Sequence, residues 1–336
     1  MGMKMLLAGD IGGTKTILAL YANENELHSP IRELVYPSGN YQHLETIIAD
    51  FLAGIKGKIE KAGFSVAGPV VNGRVRITNL PWVIDKQQLH KTFGFKQLSL
   101  LNDIVATANA VPLLKAGDIY TLNAGQPIAQ GSIAIVAPGT GLGEAYLNWE
   151  NQHYCAFASE GGHADFAPTT ALELDLLRFL LKRFQHVSYE QLCSGMGIPN
   201  IYAFLKEEQI TGEPQWLTDE LAHADDPTPI IVNNALDSGK SCQICKETLN
   251  TFVSILGAEA GNMVLKVMAT GGVYLGGGIP PRIIPALQQP RFMNAFINKG
   301  RMAGLMKQVP VHIILNPKTA LLGAAYYGSQ SSSPGK

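Results

Sequence analysis

Two aspartates stand where apolar runs give way to polar turns. Asp10 follows Leu6-Leu7-Ala8-Gly9 and precedes Ile11-Gly12-Gly13-Thr14; Asp103 follows Asn102 at the end of the apolar stretch 96–101. A carboxylate at the end of a buried strand sits where α/β proteins bind their ligands. Asp10 could reach a Mg2+ held by phosphates in the adjoining turn. Asp103 could take the proton of a hydroxyl attacking phosphorus, although an aspartate just before a helix reads more readily as an N-cap. Gly12 and Gly13 would permit backbone angles that a Cβ penalises and leave bare N–H groups for a phosphate. Taken alone, this turn reads equally well as an ordinary hairpin.

The same device recurs. Gly139-Thr140-Gly141, with Gly143 beyond it, follows the apolar run 132–137, and Gly276-Gly277-Gly278 follows Val273-Tyr274-Leu275. Three such turns spread over both halves favour a phosphate cradle, to which Thr14 and Thr140 could add hydroxyl donors. Neither G-x-G-x-x-G opening a helix nor G-x-x-x-x-G-K-[ST] is present, so the dinucleotide fold and the P-loop are disfavoured.

Glu160-Gly161-Gly162-His163 places a carboxylate and an imidazole around two glycines that cost folding entropy. Together with Asn102 and Asp103 they offer donors and acceptors to successive hydroxyls of a polyol. Metal binding is the competing reading, but no H-x-x-x-H or H-E-x-x-H spacing accompanies it. Glu190 is a weaker candidate, since a solvated helix face is its default reading.

The chain has 336 residues, 46% of them hydrophobic, with a net charge of −1. That length suits about two domains, and mean hydropathy of +0.09 argues against disorder. Near-neutral charge without a basic run disfavours nucleic acid and membrane surfaces as partners. The four cysteines do not make a disulfide framework, and Cys242-x-x-Cys245 lacks the second pair a zinc site needs. No signal peptide and no membrane-length apolar run is read, so a cytoplasmic protein is expected.

The elements that must hold these residues follow from pattern. After a hairpin over 6–20 come a strand at 31–36, a helix over 41–62, a short strand at 64–68 and a turn at Asn72-Gly73. Asn79-Leu80-Pro81-Trp82 reads as a loop, Asp85 as the cap of a helix over 86–93, and 104–110 as a helix broken near Pro112. A second block has a strand at 132–137, a strand pair over 144–158, and helices at 171–184, around 189, at 198–208, 216–223 and 229–236. The longest helical pattern runs over 240–268, with Gly257, Ala258, Ala260 and Gly261 permitting close packing. Strands at 273–275 and 311–315, a helix at 319–327 and a disordered tail over 330–336 complete the chain. Strands followed by helices, with a hairpin opening each half, predict mixed sheets covered by helices.

With these residues in place the chain closely resembles the bacterial glucokinase family, hexokinase-like members of the superfamily that also holds heat-shock ATPases and actin. The likeness covers nearly the whole chain in order: 9–14 resembles the first phosphate motif, 101–106 the first connecting motif, and 137–143 the second phosphate motif. The adenosine motif is matched at 270–278 and the second connecting motif at 318–325. Glu160-Gly161-Gly162-His163 and His186-Val187-Ser188-Tyr189-Glu190 point to the glucokinase branch. The resemblance implies a two-domain actin-like ATPase (ribonuclease H-like) fold with a cleft between domains. The smaller domain would be 1–112 plus 317–329, the larger 113–316. It implies ATP-dependent phosphorylation of glucose at the 6-hydroxyl, with Asp103 as base. Asn102, Asp103, Glu160, His163 and Glu190 would bind the sugar. Gly9, Asp10, Ile11, Gly12, Gly13, Thr14, Gly139, Thr140, Gly141, Gly276, Gly277 and Gly278 would bind ATP, and Asp10 would hold Mg2+ through water. Homodimerisation is the family's habit.

Some residues depart from the family pattern. Lys15 replaces a common Asn, and Met196 a common Pro. The related repressor and sugar kinase family carries a cysteine-rich zinc motif after its corresponding loop, where this chain has Asp165-Phe166-Ala167-Pro168. That family is therefore ranked second, and a kinase of another hexose is the alternative reading of function. A non-catalytic sugar sensor is the third, disfavoured because the first hairpin begins near residue 5 and leaves no room for a DNA-binding module.

Overall fold

The computed structural model describes residues 4–77, 80–237, 239 and 242–330. Asn79, the start of the long helix at Lys240 and the tail from 331 lie outside the described residues. The chain separates into two compact units: Met1–Lys115 with Tyr154–Ala156 and Asn316–Lys336, and Ala116–His153 with Phe157–Leu315.

The first unit opens with the expected hairpin, β1 (Lys4–Ile11) and β2 (Lys15–Tyr21), followed by β3 (Arg32–Pro37). Next come α1 (Leu44–Leu52) and β4 (Lys58–Val66), where the pattern had predicted one helix over 41–62. The helix stops early because Gly54 and Gly57 take φ of +76° and +136°, conformations that end a helix. The residues after them join the sheet instead. Asn72 and Gly73 form the expected tight turn, both with positive φ, closing a bridge between Val71 and Arg74. The short pair β5 (Arg74–Arg76) and β6 (Val83–Asp85) leads into α2 (Lys86–Phe93), whose first N–H groups, of Gln87 and Gln88, donate to Asp85 as predicted. β7 (Gln97–Asn102) and α3 (Asp103–Ala110) complete the run.

The sheet order is β3-β2-β1-β4-β7. β1, β4 and β7 run parallel, with Asp10 beside Ser65 and Val66 beside Asn102. Asp10, Ser65 and Asn102 therefore share the C-terminal edge of the parallel strands, the edge that α/β sheets use for ligands. Alternation along β1 sends Leu7 and Ile11 into one core with Ile47, Ile48 and Phe51 of α1, and Leu6 and Ala8 into another.

The second unit repeats this plan. Its sheet is built from β8 (Ile119–Asn123), β9 (Ile133–Pro138), β10 (Leu142–Glu150) and β11 (His153–Ser159), of which Tyr154–Ala156 is grouped with the first unit. Its helices are α4 (Ala171–Leu181), α5 (Gly197–Glu207), α6 (Gln215–Ala222), α7 (Thr228–Leu236) and the 25-residue α8 (Gln243–Val267). β12 (Gly272–Leu275) precedes α9 (Ile284–Leu287), α10 (Pro290–Ile297) and α11 (Ala303–Gln308), three short helices that the pattern did not reveal, and β13 (Val311–Ile314). The short helix expected around Tyr189 is a turn. The sheet order, β11-β10-β9-β12-β13-β8, matches the first sheet strand for strand, with β8 added at one edge. β9, β12 and β13 are parallel. The faint repetition of Gly-Thr turns in the sequence thus corresponds to a repeated topology.

Buried α8 is the spine of this unit. A Cβ at Gly261 would come within 2.7 Å of the Phe296 carbonyl, and Gly257 lies equally hard against Phe292. The small residues let α8 and α10 approach closely, as their pattern predicted. The chain then returns to the first unit with α12 (Thr319–Ser329), whose Leu321, Leu322 and Ala325 fill the second core beside Leu6 and Ala8. Among the described residues no helix is long and apolar enough to cross a membrane.

Candidate active site

In the first unit the polar residues converge at the end of β1. The Ser65 hydroxyl donates to Asp10 Oδ1 at 2.9 Å. Burial pushes the Asp10 carboxyl above the usual aspartate range; the Ser65 bond and the Lys15 charge oppose the shift, while the charge of Asp103 adds to it. The two aspartates thus feel each other's charge.

The N-cap of α3 is Asn102, one residue before the position the sequence suggested. Its Oδ1 accepts from Ile104 N at 3.1 Å, and its amide donates to Gly68 O at 3.2 Å. Asp103 also accepts from Ile104 N, at 2.9 Å through Oδ1, but it belongs to the first helical turn, where the macrodipole favours an anion. Its carboxylate keeps exposed surface. Desolvation still raises its pKa, against backbone hydrogen bonds and the Asn102 side chain. A raised pKa strengthens a carboxylate as a base once it is ionised.

The turn at 12–14 is tied down from β3. Ser38 N donates to Thr14 O at 3.0 Å, Ser38 Oγ donates to Gly12 O at 2.8 Å, and Thr16 Oγ1 lies 3.0 Å from Ser38 Oγ. Gly12 does not take a left-handed conformation, contrary to the expectation. It is close to its neighbours instead, since a Cβ there would stand 3.2 Å from Lys15 O. Thr14 and Lys15 are exposed. Gly9 and Ile11 lie within β1: a Cβ at Gly9 would meet Phe64 and Leu18, and Ile11 is fully buried. These two position the turn from inside the sheet.

In the second unit Glu160, His163 and Glu190 are brought together. His163 Nδ1 lies 3.7 Å from Glu190 Oε1, and its Nε2 lies 3.9 Å from Glu160 Oε2. A short ladder holds the two segments in register: Tyr189 N donates to Ala164 O, Glu190 N to Gly162 O, and Phe166 N to Val187 O. His186 pairs with Asp165 at 2.8 Å at the end of this ladder. Glu190 Oε2 also accepts from Leu142 N at 2.9 Å, which anchors one oxygen and leaves Oε1 toward the imidazole. Alternating charge and donor groups at this spacing suit vicinal hydroxyls.

The glycine turns of this unit meet at the C-terminal ends of β9 and β12. Gly139 N donates to Gly141 O, Gly195 N to Gly139 O, and Gly276 N to Val136 O. Gly277 has φ of +77°, and a Cβ there would run into the Pro138 carbonyl. Thr140, Gly277 and Gly278 are exposed. Beside them opens a cavity of about 960 Å³, with Val232, Ile279 and Ile283 as apolar wall and Asn233, Arg282 and Thr140 as polar groups. That size accommodates a nucleotide-sized ligand. Met196, 55% exposed, lines the same cavity.

Ser65, Ser38, Asn233 and Arg282 were not singled out in the sequence. Among the described residues no group of three His, Cys, Asp or Glu side chains could hold a metal ion. Mg2+ held chiefly by phosphate oxygens and water asks less, one or two carboxylates, and Asp10 beside Asp103 fits that requirement.

The family model described as Glucokinase matches residues 7–331. A curated glucokinase of Trichormus variabilis is 41% identical over 339 aligned residues, covering 96% of this chain and 98% of the relative. The crystal structure of a glucokinase from an Antarctic psychrotroph superposes with a TM-score of 0.85 at 33% identity, over 98% of this chain and 99% of that one. A glucokinase of the ROK family from Streptomyces griseus, solved with glucose and AMPPNP, shares the fold at a TM-score of 0.63 and 18% identity, over 97% and 100% of the two chains.

Proposed function

The chain belongs to the glucokinase family, and on that premise we propose that it transfers the γ-phosphoryl group of ATP to the 6-hydroxyl of glucose. The observation that carries the reading is the family match over residues 7–331. Asp103, Asn102 and the Glu160/His163/Glu190 cluster supply the groups that this reaction needs.

Glucose would be held by Asn102, Glu160, His163 and Glu190, leaving its 6-hydroxyl against Asp103. As the hydroxyl oxygen attacks phosphorus, Asp103 accepts its proton. The new O–P bond forms while the bond from the γ-phosphorus to the bridging oxygen breaks, and ADP leaves with that electron pair. Backbone N–H groups of 12–14 and 139–141 would donate to phosphate oxygens, with Thr14 and Thr140 adding hydroxyls. The nucleoside would occupy the cavity between the 276–278 turn and α7. Asp10 would hold Mg2+, which would supply positive charge against the phosphate oxygens. The two units, 1–115 with 154–156 and 316–336, and 116–153 with 157–315, would act as the two domains of the kinase.

A coupled assay tests this across glucose, mannose, fructose and N-acetylated hexoses, each with ATP or polyphosphate. The highest kcat/KM is expected for glucose with ATP. A preference for another hexose would replace the substrate and keep the chemistry. Absence of phosphoryl transfer to any sugar would overturn the reading.

A further inference from the structure

Directly beneath the Glu160–His163 loop lies a second carboxylate that the reaction does not use. Glu144, on β10, is fully buried, and neither of its oxygens has a hydrogen-bond partner. Gly161 rests on it so closely that a Cβ there would run into Glu144 Oε2. Gly161 N is itself fixed by Ser159 Oγ at 3.0 Å.

The groups around Glu144 come mainly from α8. Glu259, also fully buried, has both oxygens occupied: Lys266 Nζ pairs with Oε1 at 3.0 Å, and Asn262 Nδ2 donates to Oε2 at 2.9 Å. Asn262 Nδ2 also donates to Tyr189 OH at 2.9 Å, and Lys299 Nζ donates to Asn262 Oδ1 at 2.6 Å and to Ala258 O at 2.8 Å. Cys193 is also fully buried, and burial, reinforced by the Glu259 and Glu173 charges, holds its thiol pKa well above the ordinary range. Burial depresses the Lys299 pKa, Glu259 raises it and Lys266 lowers it. The cations are thus committed to Glu259 and Asn262, and none pairs with Glu144.

We propose that Glu144 is a positioning residue for the sugar site, holding a proton toward Glu259 so that the Glu160–His163 loop can lie flat on a neutral side chain. The proposal rests on the reading of Glu160, His163 and Glu190 as sugar ligands. An ionised Glu144 would be a buried, unpaired charge beside a second carboxylate, and such a charge is relieved by admitting water. Gly161 packs directly on Glu144 Oε2, so water entering there would lift Gly161 and displace Glu160. Through the ladder of 162–166 with 187–190 it displaces Glu190 as well. Burial, reinforced by the Glu259 charge, pushes the Glu144 pKa up to about 8, so the proton is held through neutral pH and lost just above it. Because the folded-state pKa is raised, its contribution to stability is full below the ordinary glutamate range and declines as pH rises toward the folded value.

Steady-state kinetics of the full chain from pH 6 to 9.5 tests this. In the wild type, KM for glucose is expected to rise at least about threefold between pH 7 and 9 as Glu144 ionises, with KM for ATP changing much less. Glu144→Gln, which keeps the neutral shape, should flatten that rise. A rise of equal size in Glu144→Gln would overturn the proposal. Thermal unfolding supplies an arm independent of sugar: the loss of Tm between pH 5 and 8.5 should be smaller in Glu144→Gln than in wild type. Equal pH slopes overturn the buried proton itself. Should Glu144→Gln not fold, calorimetry of glucose binding to the wild type at pH 8 in buffers of different ionisation enthalpy should show fractional proton uptake; zero uptake overturns the coupling. If no glucose phosphorylation or binding occurs at any pH, the functional reading fails, while the unfolding arm still decides the protonation of Glu144.

Discussion

The Ser65 hydroxyl donates to Asp10 Oδ1 across the parallel pairing of β4 and β1, at 2.9 Å. This bond stabilises the ionised carboxylate against a burial that raises its pKa. Removing it in Ser65→Ala should raise the Asp10 pKa further. The acid limb of kcat/KM for ATP is then expected to move up by about one pH unit, the equivalent of one hydrogen bond to a charged group, with KM for glucose little changed. A pH–rate profile of the variant beside the wild type measures this, and an unmoved limb would detach Asp10 from nucleotide turnover.

Asp103 lies close enough to Asp10 to raise its pKa, and its own is raised by desolvation. As a base it must be ionised, so turnover should fall on acidification through a limb above the ordinary aspartate value of about 3.9. Asp103→Asn should lower kcat by roughly 10²–10⁴, the usual contribution of a positioned base, and leave glucose affinity within a few-fold. Rapid-quench turnover with calorimetric glucose binding separates the two effects. A variant with near-normal kcat would remove Asp103 from the proton transfer.

The legible parts of this site were those in which local chemistry is unusual. Apolar runs ending in Asp10 and Asn102, and glycines flanked by Thr14 and Thr140, announce strand ends and turns without knowledge of the fold. Ser65 was not legible, because a hydroxyl inside an apolar strand looks like any β residue. Its meaning comes from a register that joins positions 55 apart in the chain. Glu144 was equally silent, since alternation along β10 reads as a half-buried strand until α8 covers it. The helix over 41–62 failed for the converse reason: Gly54 and Gly57 ended it locally, while the apolar pattern continued into β4. The cap of α3 fell on Asn102 because the helix begins one residue earlier than expected, at Asp103, directly where β7 ends.

Asn102 has two duties, and they can be separated. It caps α3 through Ile104 N and ties β7 to Gly68 O, besides its proposed contact with sugar. Loss of an N-cap costs about 1 kcal/mol, which lowers Tm by roughly 1–2 °C in a chain of 336 residues. Asn102→Ala should show that loss together with a raised KM for glucose. Asn102→Asp keeps the capping oxygen and loses the amide donor to Gly68 O, so it should recover part of the Tm but not KM. Recovery of both would assign Asn102 to structure alone.

Gly277 is the glycine whose replacement should separate nucleotide binding from sugar binding most cleanly. Its φ of +77° is unfavourable for any residue with a Cβ, and the added carbon would strike the Pro138 carbonyl at the end of β9. Relief requires the 276–278 turn to move away from β9, and Ile279, whose N–H donates to Pro138 O at 3.3 Å, would move with it. Ile279 lines the cavity assigned to the nucleoside. Strain of about 1–3 kcal/mol at this point should raise KM for ATP by roughly tenfold in Gly277→Ala. KM for glucose should stay near wild type, because Glu160, His163 and Glu190 are held by a different ladder. Parallel titrations of ATP at saturating glucose and of glucose at saturating ATP measure the split. Equal changes in both constants would show that the cavity beside Gly277 is not the nucleotide site.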